Sequence, residues 1–267
     1  MKLGISSYTF AWAVGVRGHE PARPLDENGL LDKCPVLGVK LLQIGDNLPL
    51  HTFSAARLTR FAARARRKGI EIEVGARGLT ASRIAKYAAI ARQVNAKLIR
   101  FVIDDGAYQP SAEQVADILV DAQSALDGLT LGIENHDRFS AKKLRQIIKY
   151  AGSERIGVCL DTANSLGSGE GLGTVLAALA SLAVNLHIKD FYIERVPYLM
   201  GFSVSGRPAG AGLLDLPAVF KRLAPFQRCQ TAILELWTPP EPRLEETIAR
   251  EAAWAVQSLE NLKSYFP

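Results

Sequence analysis

A chain of 267 residues that is 48% hydrophobic and 22% charged can bury a large core, which excludes extended disorder, and its length suits one (β/α)8 barrel or two small domains. The formal net charge of +5 does not make it a nucleic-acid binder. Much of the basic excess (Arg57, Arg60, Arg64, Arg66, Arg67, Lys68) interleaves with Ala55, Ala56, Leu58, Phe61 and Ala62 at helical spacing, as the wet face of one amphipathic helix.

The N-terminal run MKLGISSYTF is interrupted by Ser6, Ser7 and Thr9, so it reads as a first strand and loop rather than a signal peptide. From there short β-type runs alternate with longer helical patterns. Strands are predicted over Leu3–Ser6, Leu41–Gly45, Ile70–Val74, Leu98–Ile103, Leu129–Glu134, Ile156–Asp161, Ala183–His187 and Thr231–Glu235. Helices are predicted near 27–37, 54–68, 80–93, 111–126, 140–150, 172–181, 215–223 and 244–263. Eight strand-then-helix units without a flexible linker predict an α/β protein, a single (β/α)8 TIM barrel over 1–267. An open doubly wound sheet fits less well, because no Gly-rich phosphate turn follows the first strand. One connection, from Lys189 to about Leu214, is long and Gly-rich and reads as a candidate lid.

Cys34, Cys159 and Cys229 are widely spaced and odd in number, which fits reduced thiols and a cytoplasmic location. No apolar run approaches the roughly 20 residues of a membrane span, so no membrane partner is expected, and no nucleic-acid partner either.

The strand ends carry the chemistry. The fifth predicted strand finishes in Glu134, the sixth in Asp161, the seventh in His187 and the eighth in Glu235. In a barrel the C-terminal strand ends converge on one axis, so these four groups would meet. Three carboxylates brought together without compensation repel one another and are costly to desolvate, and a divalent cation removes the difficulty. Three oxygen ligands and one imidazole suit one Mn2+ or Mg2+ ion first, with Co2+ or Zn2+ as alternatives. Any one of these acids alone would be an ordinary strand terminator; four in register on successive strands point to a metal site.

With Glu in IENH, Asp in CLDT, His in LHIKD and Glu in ILEL, the whole chain resembles the xylose isomerase-like TIM barrels, a superfamily of sugar phosphate isomerases and epimerases that also contains AP endonucleases. The resemblance implies that Glu134, Asp161, His187 and Glu235 hold the metal and that Glu134 and Glu235 double as the acid/base pair. Proton transfer would then pass through a metal-bound enediolate. The chain departs from the family where relatives carry a histidine three residues after the aspartate: here Asn164 stands there. Only His19, His51, His136 and His187 are present, too few for the three-zinc site of the DNA-repair branch.

Further candidates for substrate contact are His136, Asn164, Lys189, Arg207 in the lid, Arg77, and the aromatics Trp12 and Trp237, with Tyr8 and Phe191 also following strand ends. Lys189, Arg207 and Arg77 would make the mouth cationic, which favours an anionic over a neutral small carbohydrate. The expected activity is a metal-dependent isomerase or epimerase. The second reading is a decarboxylase of a 3-oxo sugar acid, since GISSYTFAWAVGV, IENHDRF, HIKDF, GRPAG and LELWTPP are similar to decarboxylases acting on oxidised branched sugar acids such as 3-oxo-isoapionate. The third is a barrel that binds sugar without turnover. Relatives' habits also admit a homo-oligomer.

Overall fold

The structure, a computed structural model, describes residues 1–266. In chain order it runs β1 (Lys2–Ser6), α1 (Ala11–Val14), α2 (Glu27–Val36), β2 (Leu41–Ile44), α3 (Ala55–Lys68), β3 (Glu71–Arg77), α4 (Ala81–Val94), β4 (Leu98–Val102), α5 (Ala112–Asp121) and β5 (Thr130–Glu134). It continues through α6 (Ala141–Ala151), β6 (Ile156–Asp161), α7 (Leu172–Leu179), β7 (Ala183–Ile188), β8 (Asp190–Arg195), β9 (Phe202–Arg207), α8 (Leu216–Leu223), β10 (Thr231–Leu234) and α9 (Leu244–Leu262). β1 to β7 and β10 close into a parallel barrel, β10 sealing it between β7 and β1, while β8 and β9 form a separate antiparallel ribbon. The fold is therefore a (β/α)8 barrel, as eight alternating units require.

Local chemistry sets the helix starts. Ser54, Thr80, Ser111, Ser140 and Asp215 each accept a hydrogen bond from the backbone N–H three residues on, satisfying a donor that the first turn leaves unpaired. The barrel strands are buried on both faces, as parallel strands under helices must be. The basic stretch on α3 is solvated and locally paired: Arg57 reaches Glu27, and Arg64 and Lys68 reach Asp32. Cys34, Cys159 and Cys229 are free and buried. Among the described residues no helix is long and apolar enough to cross a membrane.

Two differences from the predicted elements shape the site. β3 runs on to Arg77 instead of stopping at Val74, because Gly75, Ala76 and Arg77 stay paired with Arg100, Phe101 and Val102 of β4. Arg77 is thereby a strand end rather than a loop residue. The long connection after β7 is not an irregular loop: it forms the β8–β9 ribbon, paired from Asp190–Arg207 out to Arg195–Phe202. Its root is fixed by Asp190, which is buried and accepts from the backbone N–H of Gly210 (2.8 Å), Gly212 (3.0 Å) and Leu214 (3.0 Å). At Gly206 the chain passes so close to Trp237 that any Cβ would lie 2.0 Å from its carbonyl oxygen, so only glycine fits.

Candidate active site

Strand alternation points Glu134, Asp161, His187 and Glu235 into the barrel at its C-terminal end, and all four are buried. Asp161 and His187 are direct register partners on β6 and β7. Glu235 lies one residue past β10, its N–H bonded to the Ile188 carbonyl at 3.0 Å. The nitrogen His187 Nδ1 stands 3.4 Å from Glu134 Oε2 and 3.3 Å from Glu235 Oε1. Asp161 is oriented by its own turn: Oδ1 accepts from the N–H of Ala163 and of Asn164, each at 2.8 Å, which aims Oδ2 inward.

His187 Nδ1 is buried without a hydrogen bond, and Asp161 Oδ2 is met only by the ammonium of Lys189, at 2.9 Å. Orphaned buried acceptors are rare and costly. Ligand atoms of Asp161, His187 and Glu235 lie within 4.8 Å of one another. One unpartnered imidazole nitrogen with surrounding carboxylate oxygens is a donor set that fits a divalent ion of the Mn2+ or Mg2+ type.

The carboxylates are also met by protein cations. Lys189 Nζ bridges Asp161 Oδ2 and Glu235 Oε2 at 2.9 and 3.0 Å, and it contacts Asn164 Oδ1 at 3.3 Å. Burial works against its charge, but Asp161, Glu235 and Glu134 hold its ammonium well above the ordinary lysine range. Arg100, buried on β4, bonds both Glu134 and Asp46, and despite desolvation these acids keep it firmly charged. Burial also opposes ionisation of Glu235, yet His187, Lys189 and Arg100 bring its carboxyl down to about 2. The second oxygen of Glu134 accepts from Asn164 Nδ2 at 2.7 Å. Asp46 is pulled down to about 2 by Arg100 and Arg77 against the same burial effect, and it accepts from Tyr8 Oη at 2.9 Å.

Above this floor opens a cavity of about 460 Å3 lined by Tyr8, Trp12, Arg77, Arg100, Glu134, His136, Asn164, Lys189, Glu235 and Trp237, with smaller apolar residues between. Trp12 is pinned by its indole N–H to the Thr238 carbonyl at 2.8 Å, and Lys189 Nζ lies 5.1 Å from the Trp237 ring centre. His136 is half exposed and pairs with Asp137. Two predicted residues do not reach the cavity. Arg207 turns back along the ribbon to Ser205 and the Gly206 carbonyl and lies over the Tyr192 ring, and Phe191 is buried at the ribbon root. Conversely Arg100, Asp46 and the polar groups beneath His187 were not anticipated. The signal for Arg100 was an arginine in the middle of the apolar run LIRFV.

Residues 36–265 match the family described as the xylose isomerase-like TIM barrel. The chain belongs to that family. Over its full length it is 30% identical to a 3-oxo-isoapionate decarboxylase from Pectobacterium atrosepticum, covering 97% of that protein. Among solved structures it is similar in fold to a D-psicose 3-epimerase from Clostridium cellulolyticum H10 (15% identity, TM-score 0.72, 99% of each chain). A family member from Mycobacterium smegmatis in complex with magnesium is also similar (13%, 0.68, 97% of this chain and 96% of that one). The decarboxylase and the epimerase that the chain resembles are sugar-modifying enzymes, and similar structures carry magnesium or zinc.

Proposed function

We propose that this protein is a metal-dependent decarboxylase of a 3-oxo sugar acid. The observation that carries the reading is the pairing of the two glutamates. An epimerase needs both as exchangeable bases, whereas here Glu134 is engaged on both oxygens, by Arg100 and Asn164, and Glu235 is paired with Lys189. A carboxylate so engaged is a weak base, while the charged ammonium and guanidinium beside it suit developing negative charge. Whole-chain similarity to a decarboxylase supports the same choice.

A divalent ion held by Glu134, Asp161, His187 and Glu235 would supply Lewis-acid polarisation of the substrate's 3-oxo group. The chain's own residues do the rest. Lys189 and Arg100 place fixed positive charge at the cavity floor, where the ketone oxygen gains charge as the C1–C2 bond breaks and its electron pair enters the C2–C3–O system. Carbon dioxide leaves from C1. The leaving carboxylate belongs against the Trp12 and Trp237 wall, because an ion pair there would stabilise the reactant rather than the transition state. The carbanionic C2 is a stronger base than an amine, so Lys189 can return a proton to C2 and recover its own from solvent. Arg77, tied to Asp46 at 2.6 Å, stands on the cavity wall where it can bond substrate hydroxyls.

Epimerisation is the second reading, favoured by the placement of Glu134 and Glu235 on either side of His187 Nδ1. The two are separated by supplying a 3-oxo sugar acid and Mn2+ and following the carbons. Release of bicarbonate that is lost in Lys189→Met supports the proposal. Inverted substrate with every carbon retained would replace it by epimerisation.

A further inference from the structure

Beneath the site a second polar group fills the barrel. Gln43 on β2, Glu73 on β3 and Asn185 on β7 are all buried and bonded to one another: Gln43 Nε2 donates to Glu73 Oε2 (3.0 Å) and to Asn185 Oδ1 (3.3 Å), and Asn185 Nδ2 donates to Glu73 Oε2 (3.3 Å) and Thr231 Oγ1 (2.7 Å). The group touches the site above at one point, where Gln43 Oε1 lies 2.8 Å from His187 Nε2. Polar atoms in a barrel core are costly unless each is satisfied, so these bonds fix the direction of every amide in the group.

That direction has a consequence for the imidazole. With its NH2 committed to Glu73, Gln43 presents only its oxygen to His187, and a carbonyl oxygen can pair only with an N–H. We infer that Glu73 and Gln43 are positioning residues that hold the neutral form of His187 as the Nε2–H tautomer, leaving the Nδ1 lone pair free on the side of Asp161, Glu134 and Glu235. The tautomer of a metal-binding histidine is set by what its other nitrogen bonds. The usual partner is a carboxylate or backbone carbonyl; here an amide carries the instruction upward from a carboxylate one layer below. Asn185 serves as the brace that keeps Glu73 and Gln43 in line.

The inference rests on the metal site within the proposed function and is independent of the reaction catalysed there. Its test therefore begins on metal-free protein. The chain has four histidines, so selective 15N labelling of the imidazoles gives four ring systems, with His187→Gln identifying the relevant one. In mildly alkaline buffer the persistent ring proton of His187 is expected on Nε2. A proton on Nδ1, or an even mixture of the two forms, would overturn the inference with no variant needed. Gln43→Met should abolish the single-tautomer signature. Glu73→Gln, which keeps the shape but lets the Gln43 amide turn over, should blur it. Calorimetric titration with Mn2+ should show about 10- to 100-fold weaker binding for both variants. Unchanged tautomer and Mn2+ affinity in folded Glu73→Gln would reduce the group to barrel filling. Intact tautomer control with no decarboxylation would leave this inference standing and remove the proposed reaction.

Discussion

The two mouths of the barrel differ in a way that separates a cavity from a site. The larger opening, about 920 Å3, is at the N-terminal end, among Lys2, Glu71, Arg66, Lys97, Glu154 and Arg228. Apart from the buried Glu73 on its floor, its charges reach solvent, and Lys2 pairs there with Glu71 at 2.5 Å with both side chains more than half exposed. The C-terminal cavity is half that volume, yet Glu134, Asp161, His187, Lys189, Arg100 and Glu235 are all buried beneath it. Volume is therefore a poor guide to chemistry. What marks the functional end is the concentration of desolvated charge around an imidazole nitrogen, His187 Nδ1, that has no hydrogen-bond partner, a cost that binding and catalysis can explain and that folding alone does not.

That contrast can be broken most severely by chelation. Dialysis against EDTA should abolish turnover of a 3-oxo sugar acid, and added Mn2+ should restore it, as followed by bicarbonate release. Next in size is Lys189→Met, which leaves Asp161 and Glu235 without their buried cation. Turnover should fall by at least about 100-fold, and stability by about 3–5 kcal/mol in urea unfolding. A variant that stays fully active would detach Lys189 from the chemistry.

A third experiment concerns how the upper mouth is anchored. Glu251 on α9 is buried and accepts from the backbone N–H of Trp12 (3.0 Å) and Ala13 (3.2 Å), fixing the segment that carries the Trp12 wall. Burial raises its carboxyl from 4.5 to about 7, against the lowering effect of those N–H donors. The folded protein thus binds this proton more tightly than the unfolded chain. The associated stability is complete below about pH 4.5 and is lost as pH rises to about 7, a change of roughly 3 kcal/mol. Glu251→Gln should flatten that dependence between pH 5 and pH 8 in urea titrations; an unchanged slope would locate the pH sensitivity elsewhere. Asp190→Asn, at the ribbon root, should cost about 1.5–3 kcal/mol by weakening charge-assisted bonds to the loop backbone, seen as a lower thermal midpoint. The smallest effect belongs to the lower mouth. Lys2→Ala removes an exposed ion pair and should change stability by at most about 1 kcal/mol, with turnover unaffected.

Much of this was legible in the sequence for a physical reason. A parallel barrel strand is buried on both faces, so LGIE, IGVCLD, VNLH and TAILE stand out as largely apolar runs, and the polar residue ending each is conspicuous. Convergence of Glu134, Asp161, His187 and Glu235 then followed from topology. Less legible was what lies inside the strands. Arg100, Gln43, Glu73 and Asn185 sit in mid-run, where a single polar residue reads as noise until register aligns it with partners on distant strands. Gln43 and His187 are 144 positions apart and meet only because the barrel closes. The β8–β9 ribbon escaped for another reason: Gly201, Gly206, Gly210 and Gly212 looked like a loop, whereas Gly206 is required by close approach to Trp237 within a paired strand. The same pairing carries Arg207 away from the cavity that its sequence position pointed to.

The central claim is that this site breaks a carbon–carbon bond rather than moving a proton between carbons. Its most direct test is a carbon-13 NMR time course in D2O with Mn2+ and a 3-oxo sugar acid labelled at C1, with Glu134→Gln and Lys189→Met as controls. The account predicts labelled bicarbonate, with deuterium entering at the carbon that was C2 of the substrate and both variants silent. Retention of the C1 label in an epimerised or isomerised acid would contradict it.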